Sequence, residues 1–374
     1  MGENTDFEMK KIISILRIHL PIWLALFSFM QPLAALAQPN APAPLPAAAQ
    51  EALTKGITAA KLPDYPLAIR YFEEARKLAP DAPVIYLNLG LAESKIPGRE
   101  LRAMACFGAY LAAYPDAPNT AAVKEQIAVL DVKNQSDLSR FLKTVEENAK
   151  LVTTSPFLIV TDFQHGNSLH ETLILWVRSG DAATAIQIAN GIKDPFWKAW
   201  AEGAIGLELG MAGDKNGAHK AFNLALSASE RGKEINKNHT KVRVAEAQAK
   251  LGEIADALKI AESIQDADGR STAKFLITNA QSSILQSTSD KRISLQPSIT
   301  AIDWLKMLDD SKESNDCPLN TGPFLNLVEH MKSLPNNSPE DVFESYRNTA
   351  EKIISARNII SRMLKKQAQP PAKP

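Results

Sequence analysis

The chain has 374 residues, 45% of them hydrophobic, enough at roughly 150 residues per domain for about two domains with real cores, which excludes a wholly disordered polymer. Lys plus Arg and Asp plus Glu are equal at 42 each, so no global field draws the chain to nucleic acid or to an anionic membrane. The apolar residues are mainly Ala, Leu and Ile with only 6% aromatics, a balance that favours helices over strands and makes all-α the expected fold class.

Residues 1–37 read as a secretory signal peptide. Lys10 and Lys11 precede an apolar run from Leu20 to Ala37 that ends in Ala35-Leu36-Ala37, a small-x-small cleavage site. Glu3, Asp6 and Glu8 are unusual in such a segment, and Met9 is an alternative start. The rival reading, a retained anchor over Ile12 to Ala37, is disfavoured because Arg17, His19, Pro21 and Pro32 interrupt the run. The expectation is therefore a periplasmic or secreted protein with no stable membrane insertion after cleavage. Residues 38–48 follow as a Pro/Ala-rich linker, whose alternate prolines favour an extended spacer.

From residue 49 a self-similarity of about 34 residues sets in. Gly56, Ala68, Phe72, Ala75 and Pro80 form the first unit; Tyr86, Leu89, Gly90, Ala103, Phe107 and Pro115 repeat the plan with one extra residue in the turn. Small side chains let two helices cross closely, the phenylalanines fill the space beside them, and each proline stops a helix. Asn119 to Leu130 reads as a capping helix, so that residues 49–133 make one domain. These residues resemble the tetratricopeptide repeat family, with departures at Lys55, Ala59, Glu93 and Tyr110. The resemblance implies stacked helical hairpins, an α-solenoid, with a groove lined by Leu53, Ile57, Ala60 and Lys61 of one unit and Leu87, Leu91, Ser94 and Lys95 of the next. Leu53, Ile57, Lys61, Leu87, Leu91 and Lys95 are the candidate partner-binding residues. Leu53 and Ile57 stand where the family's carboxylate clamp uses Lys and Asn, so the resemblance implies an apolar or amphipathic peptide as guest.

Residues 134–168 read as a connector: a helix over Ser136 to Leu151, then an irregular stretch in which Phe157-Leu158-Ile159-Val160 is too short to assign as strand or buried helix. A weaker periodicity marks residues 169–286. Gly180-Asp181, Gly213-Asp214 and Gly252-Glu253 punctuate helical segments and are followed by Ala185, Ala218 and Ala257, then by Ala189, Phe222 and Ala261. This looks like a divergent array of the same kind. The basic stretch from Arg231 to Arg243 has no interleaved aromatics and reads as a solvated loop and helix face.

Residues 287–367 form a carboxyl-terminal helical region with helices near Pro297 to Leu308, Pro323 to Leu334 and Pro339 to Lys365; residues 368–374 form a disordered tail. Ser338 and Pro339 start the last helix, and its stripe of Phe343, Tyr346, Ala350, Ile353, Ile360 and Leu364 is interrupted by Arg357. The stripe packs on its own domain or, through 339–365, on another subunit.

No phosphate loop, nucleophile elbow or zinc-protease pattern occurs. His165 and His170 are spaced wrongly for a metal pair on one helix face. Cys106 and Cys317 leave two readings, a mutual disulfide or, favoured, a buried thiol at Cys106. The sequence thus predicts a non-enzymatic exported scaffold, without cofactor, that binds a protein or peptide. The alternatives are an accessory module of a peptidoglycan-related envelope enzyme and a structural oligomer.

Overall fold

Helix-favouring composition is realised throughout. The structure, a computed structural model, describes residues 44–154, 162–291, 299–310, 319 and 339–368, and among these it contains fourteen helices and no strand. The helices belong to one compact unit, Leu45–Pro374. No helix of the described residues is long and apolar enough to cross a membrane. The predicted signal peptide, most of the linker, Phe157 to Val160, the helix near Pro323 to Leu334 and Cys317 lie outside the described residues.

The first four helices form two packed pairs, α1 (Ala47–Lys61) with α2 (Tyr65–Leu78) and α3 (Pro83–Glu93) with α4 (Glu100–Ala113). Their crossings explain the repeated small residues. A Cβ added to Gly56 would lie 2.4 Å from the Phe72 ring, and one added to Gly90 would lie 2.6 Å from the Phe107 ring. Glycine and phenylalanine are therefore a matched pair, since the ring occupies the volume that any side chain on the first helix would need. Cys106 on α4 is a buried free thiol, which burial and the nearby Glu93 carboxylate push well above the ordinary thiol range.

Where two helices were expected, over Asn119–Leu130 and Ser136–Leu151, the chain runs as a single helix, α5 (Thr120–Thr154). The physical reason is continuity. No Gly or Pro falls between the two segments, and Val123, Ile127, Leu130, Leu138, Phe141 and Val145 carry one buried stripe through the junction.

Seven further helices follow: α6 (Asp162–Arg178), α7 (Ala182–Gly191), α8 (Pro195–Met211), α9 (Lys215–Ser229), α10 (Glu234–Lys250), α11 (Ile254–Glu262) and α12 (Ala267–Lys291). The three Gly-acid dipeptides end α6, α8 and α10. Gly180, Gly213 and Gly252 have φ of 94°, 94° and 83°, and the next residue's N–H reaches back to the carbonyl of Trp176, Leu209 or Gln248 at 2.9–3.0 Å, the bond that closes a left-handed helix stop. Asp181 and Asp214 then cap the following helices by accepting from Thr184 and Gly217. The matched pair of the first repeats also returns here, for a Cβ on Gly206 would lie 2.6 Å from Phe222.

Two helices close the described chain. α13 (Ala301–Asp310) starts later than expected because Thr300 and Asp303 form a cap, the Thr300 N–H and hydroxyl both donating to the Asp303 carboxylate. Trp304 of α13 is fully buried against α4 and lies where a Cβ on Gly108 would need to be, 2.5 Å away. α14 (Pro339–Gln367) packs on α4, α5 and α6. Its stripe of Phe343, Tyr346, Ala350, Ile353 and Ile360 is buried within the chain, the first of the two placings open to it from the sequence. The interruption at Arg357 is a contact: its guanidinium pairs with Asp131 of α5 at 2.7 Å and donates to the Ser179 carbonyl after α6 at 3.4 Å.

Candidate functional site

The six residues predicted to bind a partner differ in burial. Leu53 is 4% exposed and belongs to the main core, a correction with a simple cause: the apolar face of α1 packs on α2 and α3. Ile57 and Leu87 are half-buried against the same core. Leu91, Lys61 and Lys95 reach the surface, Leu91 with 40% of its area exposed.

A better-formed concavity lies elsewhere. α6, α8, α10 and α12 pack in a row, each against the next, and along them run two adjoining depressions. The first, about 270 Å³, is lined by His170 of α6, by Phe196, Trp200, Gly203 and Leu207 of α8, and by His239, Arg243, Glu246 and Lys250 of α10. The second, about 340 Å³, shares Glu246 and Lys250 and continues to Leu276, Asn279 and Ile284 of α12. Three-and-four spacing produces this lining. His239, Arg243, Glu246 and Lys250 share one face of α10, as do Phe196, Trp200, Gly203 and Leu207 on α8.

Local sequence fixes the aromatic end. Asp194 precedes Pro195 at the start of α8, and its carboxylate accepts from the N–H groups of Phe196 and Trp197 at 2.9 and 3.0 Å. That cap holds three aromatic residues in the first turns. Trp200 is the hub: it stacks on Trp197 with centroids 5.1 Å apart, and meets Phe196 and His170 edge-on at 5.6 Å each and His239 at 6.0 Å. Gly203 leaves the floor open, since a Cβ there would meet nothing within 4 Å.

The other end is cationic. Arg243 and Lys250 both hold Glu246, at 2.9 and 2.8 Å. Partial burial would raise the Glu246 carboxyl, but the hydrogen bonds from Lys250 and Arg243 outweigh it and hold the group below its usual range. Two cations thus share one carboxylate, and one positive charge remains. Burial drives the His170 imidazole down to about 4, against an opposing pull from Glu208. Partial burial and the neighbouring Arg243 lower His239 as well. Both rings are therefore neutral at neutral pH and act as flat, weakly polar walls.

Along the chain the Arg231 to Arg243 stretch lacks aromatics. In space α8 supplies them: Phe196 lies 5.6 Å from His239. The signal that could have found the site is Phe196-Trp197-x-x-Trp200, three rings within five positions of an aromatic-poor chain, directly after an Asp-Pro helix start. His165 and His170 fall on the one helix α6, five positions apart. Among the described residues no three His, Cys, Asp or Glu side chains gather as a metal site. What this arrangement offers chemically is recognition: an apolar aromatic surface next to a net positive one. No protein-family model matches the chain, and no curated protein resembles it closely enough in sequence to lend it a function.

Proposed function

We propose that the protein is an exported binding scaffold that captures an extended segment of a partner protein in the trough across α6, α8, α10 and α12. The carrying observation is that two adjoining depressions run over four helices and share Glu246 and Lys250, an elongated shape suited to a chain and not to a compact metabolite. The matched Gly–Phe pairs at 56/72, 90/107 and 206/222 support a tetratricopeptide-like origin for both halves, and in such hairpin rows the first helices form the recognition face. Export is supported by the charged start, apolar run and Ala35-Leu36-Ala37 site of the sequence.

Gly203 supplies the test. Gly203→Leu places a side chain in open space, so the variant folds while its trough is filled. Panning a displayed random-peptide library against the mature chain is expected to yield peptides that bind it and fail on Gly203→Leu. A library that enriches nothing, or peptides indifferent to that substitution, would remove the trough from the function.

A further inference from the structure

The trough is asymmetric, and the asymmetry specifies a ligand. Its α8 side is aromatic and open at Gly203; its α10 side carries Arg243 and Lys250 against a single carboxylate, Glu246, which both already hold. We propose that the segment bound there is an acidic peptide anchored by one aromatic side chain, the ring seated over Gly203 against Trp200 and Leu207 and a neighbouring carboxylate bound by Arg243 and Lys250. The inference rests on the peptide-binding reading of the trough and adds the chemistry of the guest.

Three considerations lead to this class. The first depression, about 270 Å³, adjoins a second of about 340 Å³ that shares Glu246 and Lys250. The first suits one side chain of a longer ligand, and the second gives the rest of the chain somewhere to go. Aromatic walls would by themselves also welcome a cation. Here a guest cation would face Arg243 and Lys250 across the same few ångströms, while Glu246, already engaged by two donors, has little left to offer it. Like-charge repulsion decides against the cation. Finally, the structure gives Arg243 one side-chain partner through Nη1, leaving guanidinium donors to take a second carboxylate in a fork. A ring with an adjacent acid satisfies both ends of the site; a purely apolar peptide would leave the cationic end without a counter-charge.

The probe is a fluorescein-labelled peptide in which Phe is flanked by Glu residues, followed by fluorescence anisotropy with the mature chain. It is expected to bind, to weaken as salt is raised, and to lose about tenfold or more when its Phe becomes Ala, when its Glu residues become Lys, or when the protein carries Arg243→Gln. In that variant Glu246 keeps Lys250, so the fold is retained. Equal binding of the Lys-flanked or Ala-substituted peptide overturns the proposal. So does phenylacetate displacing the probe at the peptide's own concentration, which would make the site a pocket for small aromatic acids. If the probe fails while library panning returns peptides of another composition that depend on Gly203, the proposed chemistry is wrong and the scaffold reading stands. If panning returns none, both fall.

Discussion

At position 93 the chain carries a carboxylate in its interior, and two arginines meet its charge. Glu93 is excluded from solvent and accepts from Arg102 Nε at 2.9 Å and Arg99 Nη1 at 3.0 Å, while Arg102 also reaches Glu73 at 3.0 Å. Every charge in this buried cluster thus has a partner. Glu202 on α8 is the opposite case. It is equally excluded from solvent, both carboxylate oxygens lack a hydrogen-bond partner, and burial pushes its carboxyl above the usual range. Because the folded chain holds that proton more tightly than the unfolded chain, the group favours folding in acid and costs stability as pH rises through its raised value. Glu202→Met is therefore expected to stabilise the protein at pH 7 by about 1–3 kcal/mol, with a smaller gain near pH 4. Urea unfolding at the two pH values measures both; a loss of stability at pH 7 would mean that the carboxylate has a favourable role.

The same amino acid has opposite meanings on different helices, and this governs how much could be read from the sequence. Gly56 and Gly90 were legible because each stands one helix-turn-helix step before a phenylalanine along the chain, and the structure seats that ring on the glycine. The Gly-acid helix stops at 180, 213 and 252 were legible for the same reason, being local backbone chemistry. Gly203 was not, because what matters there is the emptiness above it. His239 and Arg243 looked like solvated surface because their aromatic neighbours come from another helix. Leu53 fits a groove by its register position, yet its side chain lies in the core that α1 shares with α2 and α3. One pair of substitutions separates the two kinds of glycine. Gly90→Ala forces a methyl into the Phe107 ring and is expected to cost about 1–3 kcal/mol, whereas Gly203→Ala gains helix propensity worth about 0.5–1 kcal/mol with no clash. Thermal melts of the two variants should move in opposite directions, and a parallel shift would contradict the assignment.

For the molecule as a whole, the last helices connect parts that are remote along the chain. Gln367 accepts from the Trp304 indole at 3.0 Å and donates to the Gly108 carbonyl at 3.4 Å, while Asn358 donates to the Arg178 carbonyl at 3.2 Å and Arg357 pairs with Asp131. α14 thereby fastens α4, α5 and α6 together. Trp304→Ala is expected to cost about 3–5 kcal/mol and to bare the face of α4, so that the variant should bind the dye ANS more strongly than the parent while Gly203→Leu does not. The distance along the chain has a kinetic meaning. Gln367 and Gly108 are 259 positions apart, and contacts of that separation form late because the intervening loop must close first. A chain emerging amino end first completes its early hairpins long before the helices that cover them exist. Until then α4 is an open apolar surface, the kind of intermediate that attracts a holding chaperone or aggregates without one. The docking of α13 and α14 therefore sets the moment at which α4 becomes safe from aggregation.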